Sequence, residues 1–300
     1  MMAMRLVRWI AWIAGIGVAL ALIAGVVLCE SAVRVPRKAL PAGPGTDIAW
    51  RAVEMTARDG AVMRAWLLLP RAPNGNAVLV LHGIADSRTG TLGLARMLLA
   101  NGYAVLAPDS RAHGESGGEL ATYGLLEADD VHRWVDWLIA AEHPRKVFGV
   151  GESLGAAVLI QSLAVENRFS AVVAECPFAS FWRVAVDRVA QRLPMTPGLG
   201  HIIATPLVWS GFLYARVRYG LDFRAASPQQ VIGRVSTPVL LIHGLKDTNI
   251  YPEHSRILAA RNPASVVLWL VPKATHTAAF GYAQQEFERR VLGWFTAHSQ

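Results

Sequence analysis

Residues Gly151-Glu152-Ser153-Leu154-Gly155 fit the G-x-S-x-G pattern of a nucleophile elbow, a sharp turn from strand to helix that pushes a serine hydroxyl into a cleft. Ser153 is therefore the candidate nucleophile. The two glycines have a steric purpose, because the serine occupies a strained backbone and strand and helix close too tightly for side chains beside it. A pattern this short also describes a plain strand-to-helix turn with a serine in it, so its surroundings must decide. Lys146 to Val150 reads as a short buried strand, and Leu154 to Glu166 is an uninterrupted helix former. The competing dinucleotide fingerprint begins at Gly149-Val150-Gly151 but requires glycine at position 154, where Leu154 stands.

A serine nucleophile needs a base, an acid to orient that base, and donors for the oxyanion. His82, His113, His132 and His143 all precede Ser153, against the order Ser, acid, His expected of this architecture. His276 has that order, in the loop Lys273 to Thr277 after the last apolar run, at the same sheet edge as the elbow. Asp247 lies between the two, just past a strand end in Leu240 to Asp247, and is the expected acid; its alternative role is a turn cap. Glu175 at another strand end is the rival acid, and Asp187 a weaker one. His243 reads as a buried strand-end histidine. One oxyanion donor is the backbone N–H of Leu154, at the start of a helix and its positive dipole end. The second is the N–H of Ile84, where the chain turns at Gly83 after Leu81.

The elements needed to hold these residues are legible as alternating patterns. Arg58-Asp59-Gly60 between Ile48 to Ala57 and Ala61 to Leu69 signals an antiparallel hairpin. Continuous apolar runs follow at 78–81, 104–107, 146–150, 171–174, 239–242 and 266–271, with helical patterns between them, as in a parallel sheet covered on both faces. About 60 residues from Pro177 to Ser236 interrupt the alternation and are expected to form an inserted cap. Within the cap, Leu193 to Ala215 carries no formal charge, and Pro194, Pro197 and Pro206 are expected to break it into an apolar lid rather than a membrane span. Six arginines, Arg183, Arg188, Arg192, Arg216, Arg218 and Arg224, bracket that stretch. They read either as a solvated rim or as a face toward anionic head groups.

From Trp9 to Cys29 run 21 residues without a charge, enough at ~1.5 Å per residue to cross a hydrocarbon core of about 30 Å. A cleaved signal is the rival reading, yet its apolar region should be only ~7–15 residues long and no small-x-small site follows. The bulky Leu28 disfavours lipid attachment at Cys29. The expected division is an N-terminal flank at 1–8, a single-pass anchor at 9–29, a Pro/Gly linker at 30–47 and a catalytic domain at 48–300. On this reading the anchor governs address and not chemistry. Basic residues flank both ends of the anchor, so charge assigns no membrane side. The net charge of +7 comes without a basic helix, zinc finger or RNP-like motif, which points away from nucleic acid and toward an anionic membrane surface. Cys29 and Cys176 form neither a disulfide framework nor a cysteine metal site, and no metal or organic cofactor is implied.

Taken together, His82-Gly83, Asp109 to Ser116, Gly-Glu-Ser-Leu-Gly, His243-Gly244 with Asp247, and His276 resemble the α/β-hydrolase superfamily. The resemblance is to its serine-hydrolase branch of bacterial membrane-anchored hydrolases and serine aminopeptidase-like lipases, and it covers nearly everything from Ile48 onward. It implies the α/β-hydrolase fold, with a mostly parallel central sheet, helices on both faces, an inserted cap and here an N-terminal transmembrane helix. It also implies that Asp109, Arg111 and His113 form a structural loop beside the site. Dehalogenases and epoxide hydrolases of this fold carry aspartate where Ser153 stands. The expected activity is hydrolysis of carboxylic esters, lipid-derived ones among them, through an acyl-enzyme; an amidase or peptidase and a non-catalytic binding module are the alternatives. Fold does not name the substrate, and the oligomeric state is not legible.

Overall fold

The apolar runs form an eight-stranded sheet in the computed structural model, which describes residues 2–299. Its strands are β1 (Ala49–Thr56), β2 (Val62–Leu69), β3 (Ala77–Leu81), β4 (Ala104–Pro108), β5 (Val147–Glu152), β6 (Phe169–Glu175), β7 (Val239–Gly244) and β8 (Val266–Val271). Their spatial order is β1-β2-β4-β3-β5-β6-β7-β8, and β2 runs antiparallel to both of its neighbours while the pairs from β4 to β8 are parallel. The chain winds one way from β3 to β4 and the other way from β5 onward. The C-terminal ends of β3 and β5 therefore flank the switch point where open α/β sheets leave a crevice.

Helices cover both faces. They are α2 (Leu92–Ala100), α3 (Glu127–Glu142), α4 (Leu154–Ser162), α8 (Glu253–Arg261) and α10 (Gln284–Ala297), with the short α9 (Ala279–Tyr282) before the last. The inward residues of the central strands alternate between two cores: Leu79 and Val172 lie on one side with Trp134 and Leu159, and Val78 and Val173 on the other with Leu98 and Phe295. Burial on both faces explains why β3, β5 and β6 read as unbroken apolar runs rather than alternating ones.

The insertion after β6 forms α5 (Phe181–Ala190), α6 (Pro197–Tyr219) and α7 (Pro228–Ile232). The prolines do not break α6, contrary to the expectation from sequence. Pro197 occupies its first turn, where no N–H donor is needed, and Pro206 lies inside the helix on its exposed side, away from the packed cap core. Outward from α6 project Ile202, Trp209, Leu213 and Val217, all exposed.

The N-terminal helix α1 runs from Met2 to Val33, so residues 30–33, expected in the linker, continue the helix. Its stretch Val7–Val33 is long and apolar enough to cross a membrane, and is the one such helix among the described residues. Its last turns are built into the body of the protein. Gly25 crosses α6 so closely that a β-carbon there would lie 2.0 Å from Ser210 Oγ, and Ser210 Oγ–H donates to Ala21 O at 3.0 Å. Glu30 accepts hydrogen bonds from the hydroxyls of Tyr214 and Tyr219 on α6. The carbonyls of the final turn, which lack intrahelical donors, are also met: Tyr123 OH donates to Ala32 O at 2.8 Å and Ala121 N–H to Val33 O at 2.9 Å.

The segment after α1 is docked as well. Arg37 donates to the carbonyls of Gly114 (3.1 Å) and Gly118 (2.8 Å), Lys38 pairs with Asp86 at 2.7 Å, and Arg96 pairs with Asp47. Proline and glycine here route the chain along the protein surface instead of spacing the helix away from it.

Candidate active site

Strand β5 ends at Glu152 and α4 starts at Leu154, which leaves Ser153 alone in the turn with φ 53° and ψ −114°. A β-carbon at Gly155 would lie 2.4 Å from Leu81 O, and one at Gly151 would lie 2.5 Å from Gly155 O. Only glycine allows the strand, the turn and β3 to approach so closely. The Ser153 N–H donates to Glu175 O at 2.8 Å, fixing the turn against the end of β6.

Ser153 Oγ–H donates to His276 Nε2 at 2.9 Å, and His276 Nδ1–H donates to Asp247 Oδ2 at 2.7 Å. These three residues come from the ends of β5, β7 and β8, and the structure brings them together in the order expected from sequence. Asp247 is buried beneath the half-buried His276. Burial opposes its ionisation, but hydrogen bonds from His243 and His276, the charge of His276 and the Ile250 N–H outweigh that effect. The carboxyl is held well below the usual carboxylate range. Its Oδ1 accepts the N–H groups of Asn249 (2.8 Å) and Ile250 (3.0 Å), a turn that locks the side chain.

His243 is the partner that the sequence did not supply. It is fully buried, with Nε2 3.2 Å from Asp247 Oδ2 and 2.9 Å from Ile250 O, and Nδ1 2.7 Å from Ser255 Oγ. That network assigns the proton to Nε2, which leaves Nδ1 to accept from Ser255. His243 thus braces the acid at the same carboxylate oxygen that His276 engages.

The loop after β3 passes directly over Ser153: a β-carbon at Gly83 would lie 3.3 Å from Ser153 Cβ and 3.9 Å from its Oγ. Ile84 follows in this loop, Leu154 opens α4 where its N–H has no intrahelical acceptor, and both line the same cavity as Ser153. Two histidines hold the loop. His113 Nε2 accepts from Ala85 N–H at 3.1 Å while its Nδ1–H donates to Arg111 O at 2.8 Å. His82 Nε2 accepts from Ser110 N–H at 3.0 Å while its Nδ1–H donates to Gly83 O at 2.7 Å. Both rings must be neutral to accept. Burial pushes His82 down to about 4, and burial lowers His113 as well.

The segment 109–116 anchors those histidines. Asp109 accepts the N–H groups of Arg88 and Glu115, each at 2.8 Å, and Arg111 makes a bidentate pair with Asp130 at 2.8 Å. Asp109, Arg111 and His113 are not among the residues lining the cavity with Ser153, consistent with a supporting loop.

Glu175, the rival acid, accepts the Ala279 N–H at 3.0 Å, while its second oxygen is buried without a hydrogen-bond partner. Burial pushes it up to about 7. Glu152, which lines the cavity, is pushed up to about 8 by burial together with the charges of Glu175 and Asp86. Asp187 lies within the cap, between His201 (2.7 Å) and His254 (3.0 Å), and ties α5 to α6 and α8. Cys176 Sγ lies within 4.8 Å of ligand atoms of Asp247 and His276, but those two are occupied with each other and burial raises the thiol well above its ordinary range. That set is a poor metal site.

A cavity of about 530 Å³ opens above Ser153 and His276. Its apolar wall includes Phe178, Phe181, Val208, Phe212 and Phe223 from the cap region, with Tyr123 stacked on Phe181 at 3.7 Å. Leu28, Cys29, Ser31 and Ala32 of α1 also line it. Of the cap arginines, Arg188 and Arg192 reach the cavity, Arg224 pairs with Asp222 at 2.9 Å, and Arg216 and Arg218 are exposed at the end of α6.

Strand order, elbow and crevice define an α/β-hydrolase, a hydrolase whose solved neighbours include the esterase Pf2001 of Pyrococcus furiosus. That structure superposes with a TM-score of 0.71 at 24% identity, covering 89% of this chain and 100% of that one. The chain belongs to the serine aminopeptidase S33 family, which it matches over residues 72–280. Curated relatives include YqkD of Bacillus subtilis, 28% identical over 219 residues (72% of this chain, 70% of that protein). Another is the monoacylglycerol lipase of Mycolicibacterium smegmatis, 26% identical over 253 residues (75% and 89%).

Proposed function

We propose that this protein is a membrane-anchored serine hydrolase that cleaves carboxylic esters with an apolar acyl group. The observation that carries the proposal is the hydrogen-bonded series from Ser153 Oγ to His276 Nε2 (2.9 Å) and from His276 Nδ1 to Asp247 Oδ2 (2.7 Å). In the first half-reaction Ser153 Oγ attacks the ester carbonyl carbon as its proton passes to His276 Nε2. The carbonyl oxygen becomes an oxyanion facing the N–H groups of Leu154 and Ile84. Collapse breaks the bond to the alcohol, which leaves with the proton from His276. In the second half-reaction water attacks the acyl carbon and gives a proton to His276, which returns it to Ser153 as the acid departs. Asp247, held ionised, keeps the His276 proton on Nδ1 and stabilises the imidazolium in each half.

The aromatic and aliphatic cavity wall supports an apolar acyl group, and the lipase among the relatives supports an ester of lipid type. Membrane attachment rests on the exposed apolar run of α1, with the outward side chains of α6 beside it. Asp86 and Glu152 in the cavity wall suit a substrate amine, as the family's aminopeptidase designation suggests, and this supports an amidase as the second reading. Burial weakens it, because a Glu152 pushed up to about 8 is largely uncharged near neutrality.

A panel of esters of graded acyl length and of matched amides, assayed with the full chain in detergent micelles, tests the proposal. Ester turnover that exceeds the amides and is lost in Ser153→Ala is expected. Turnover surviving in Ser153→Ala, or amides preferred throughout, would refute it.

A further inference from the structure

The cavity above Ser153 is bounded by two helices that continue beyond it, α1 and α6, and their crossing is the point of interest. Gly25 and Gly211 meet there: a β-carbon on Gly211 would lie 2.9 Å from Gly25 O, and one on Gly25 would lie 2.7 Å from Gly211 N. Small residues at a crossing let two helix backbones approach, which is how helices pack within a bilayer. Toward the amino terminus from this crossing, α1 exposes Trp12, Ile16, Leu20 and Ile23; toward the carboxyl terminus it supplies Leu28, Cys29 and Ala32 to the cavity. On α6, Trp209 and Leu213 point outward while Val208, Gly211 and Phe212 face the cavity. One pair of helices therefore presents an apolar outer surface and an apolar inner one.

We infer that α1 is a specificity element of the enzyme as well as its anchor: Leu28, Cys29 and Ala32 form the wall against which the acyl chain lies. The inference rests on the ester-hydrolase reading above. It commits the substrate to a lipid-derived acyl chain, because the same pair of helices carries the apolar outer surface and the apolar cavity wall. The position of this wall is fixed from outside the helix. Tyr123 OH and Ala121 N–H hold the Ala32 and Val33 carbonyls, and Tyr214 and Tyr219 hold Glu30. A helix serving only as a tether has no need of such contacts at its inner end.

Acyl length is read by the space between this wall and Ser153, so altering the wall must move the chain-length profile. Ala32→Phe, assayed as full-length protein in micelles on p-nitrophenyl esters from two to twelve carbons, is expected to lower the long-to-short ratio of kcat/KM about tenfold or more. Leu28→Ala enlarges the cavity and is expected to shift the optimum toward longer chains. Ile13→Ala, on the lipid-facing part of the same helix, is expected to leave the profile of the wild type. If Ala32→Phe fails to fold, Leu28→Ala alone decides. A wild-type chain-length optimum that the folded wall variants do not move overturns the inference while leaving the hydrolase reading in place. A wild type that turns over no ester removes the reading beneath it.

Discussion

The carbonyl oxygen of Ala32, in the last turn of the N-terminal helix, accepts a 2.8 Å hydrogen bond from the hydroxyl of Tyr123, whose ring is stacked on Phe181 of the cap. A residue from the apolar N-terminal helix, one from the hydrolase body and one from the cap thus meet at one corner of the cavity. Cys29 and Val33 are buried in the same core as the central strands. The inner end of α1 is packed into the body of the hydrolase domain.

Tyr123→Phe keeps the stack and removes only the hydroxyl. A lost hydrogen bond of this kind is expected to lower stability by about 1 kcal/mol, or roughly 2 °C in melting temperature for a chain of this size. Removal of residues 1–20, which spares the contacts of Ala21 to Val33, should melt near the full chain in detergent, whereas removal of residues 1–34 should melt well below it. Equal melting of the two truncations, measured by scanning calorimetry, would show that α1 contributes nothing to the body.

Asp247 and Glu175 both lie at strand ends, but only Asp247 reaches His276. Asp247→Asn leaves the geometry nearly intact while removing the acceptor that orders the His276 tautomer, so kcat is expected to fall on the order of 10⁴-fold. Glu175→Gln keeps an acceptor for the Ala279 N–H and should retain activity within a few-fold. Steady-state kinetics on one short ester compares them, and the reverse ranking would move the acid to β6.

Glu175 also makes a prediction about pH. Its carboxyl is raised from its ordinary value near 4.5 to about 7 in the fold, so between those values the native state holds a proton that the unfolded chain has released. Stability from this group therefore falls as pH rises through that interval and levels off above it. The melting temperature of Glu175→Gln relative to wild type should increase from pH 4.5 to 7 and then stay constant. A difference independent of pH would mean that Glu175 is not buried as described.

His113 is expected to act on the reaction through the loop it holds. His113→Phe leaves the Ala85 N–H without its acceptor and frees the segment carrying Ile84, and loss of a well-placed oxyanion donor costs ~10²–10³ in rate. A fall in kcat of roughly 10- to 100-fold with KM changed little is expected for a displaced rather than deleted donor. A change confined to KM would place His113 in substrate binding instead.

Much of this was legible from residue order and pattern. The strands buried on both faces announce themselves as unbroken apolar runs, and the order Ser153, Asp247, His276 along the chain matches their meeting in space. The brace from His243 was not legible, because a histidine directly after an apolar run reads the same whether it faces a carboxylate or a carbonyl. Nor was the packing of α1, since Leu28, Cys29 and Ala32 are equally apolar against lipid and against protein; their place in the cavity wall distinguishes the two. Pro206 misled for a related reason: its ring lies on the exposed side of α6, where the packed side is undisturbed.

The central claim is that an acyl-enzyme forms on Ser153, and the most direct measurement is the site of covalent modification by a fluorophosphonate, mapped by mass spectrometry of proteolytic peptides. The account predicts one adduct, on Ser153, formed rapidly in wild type, absent in Ser153→Ala and slowed by orders of magnitude in His276→Ala. Modification of another residue, or an unmodified Ser153 in folded protein, would contradict it.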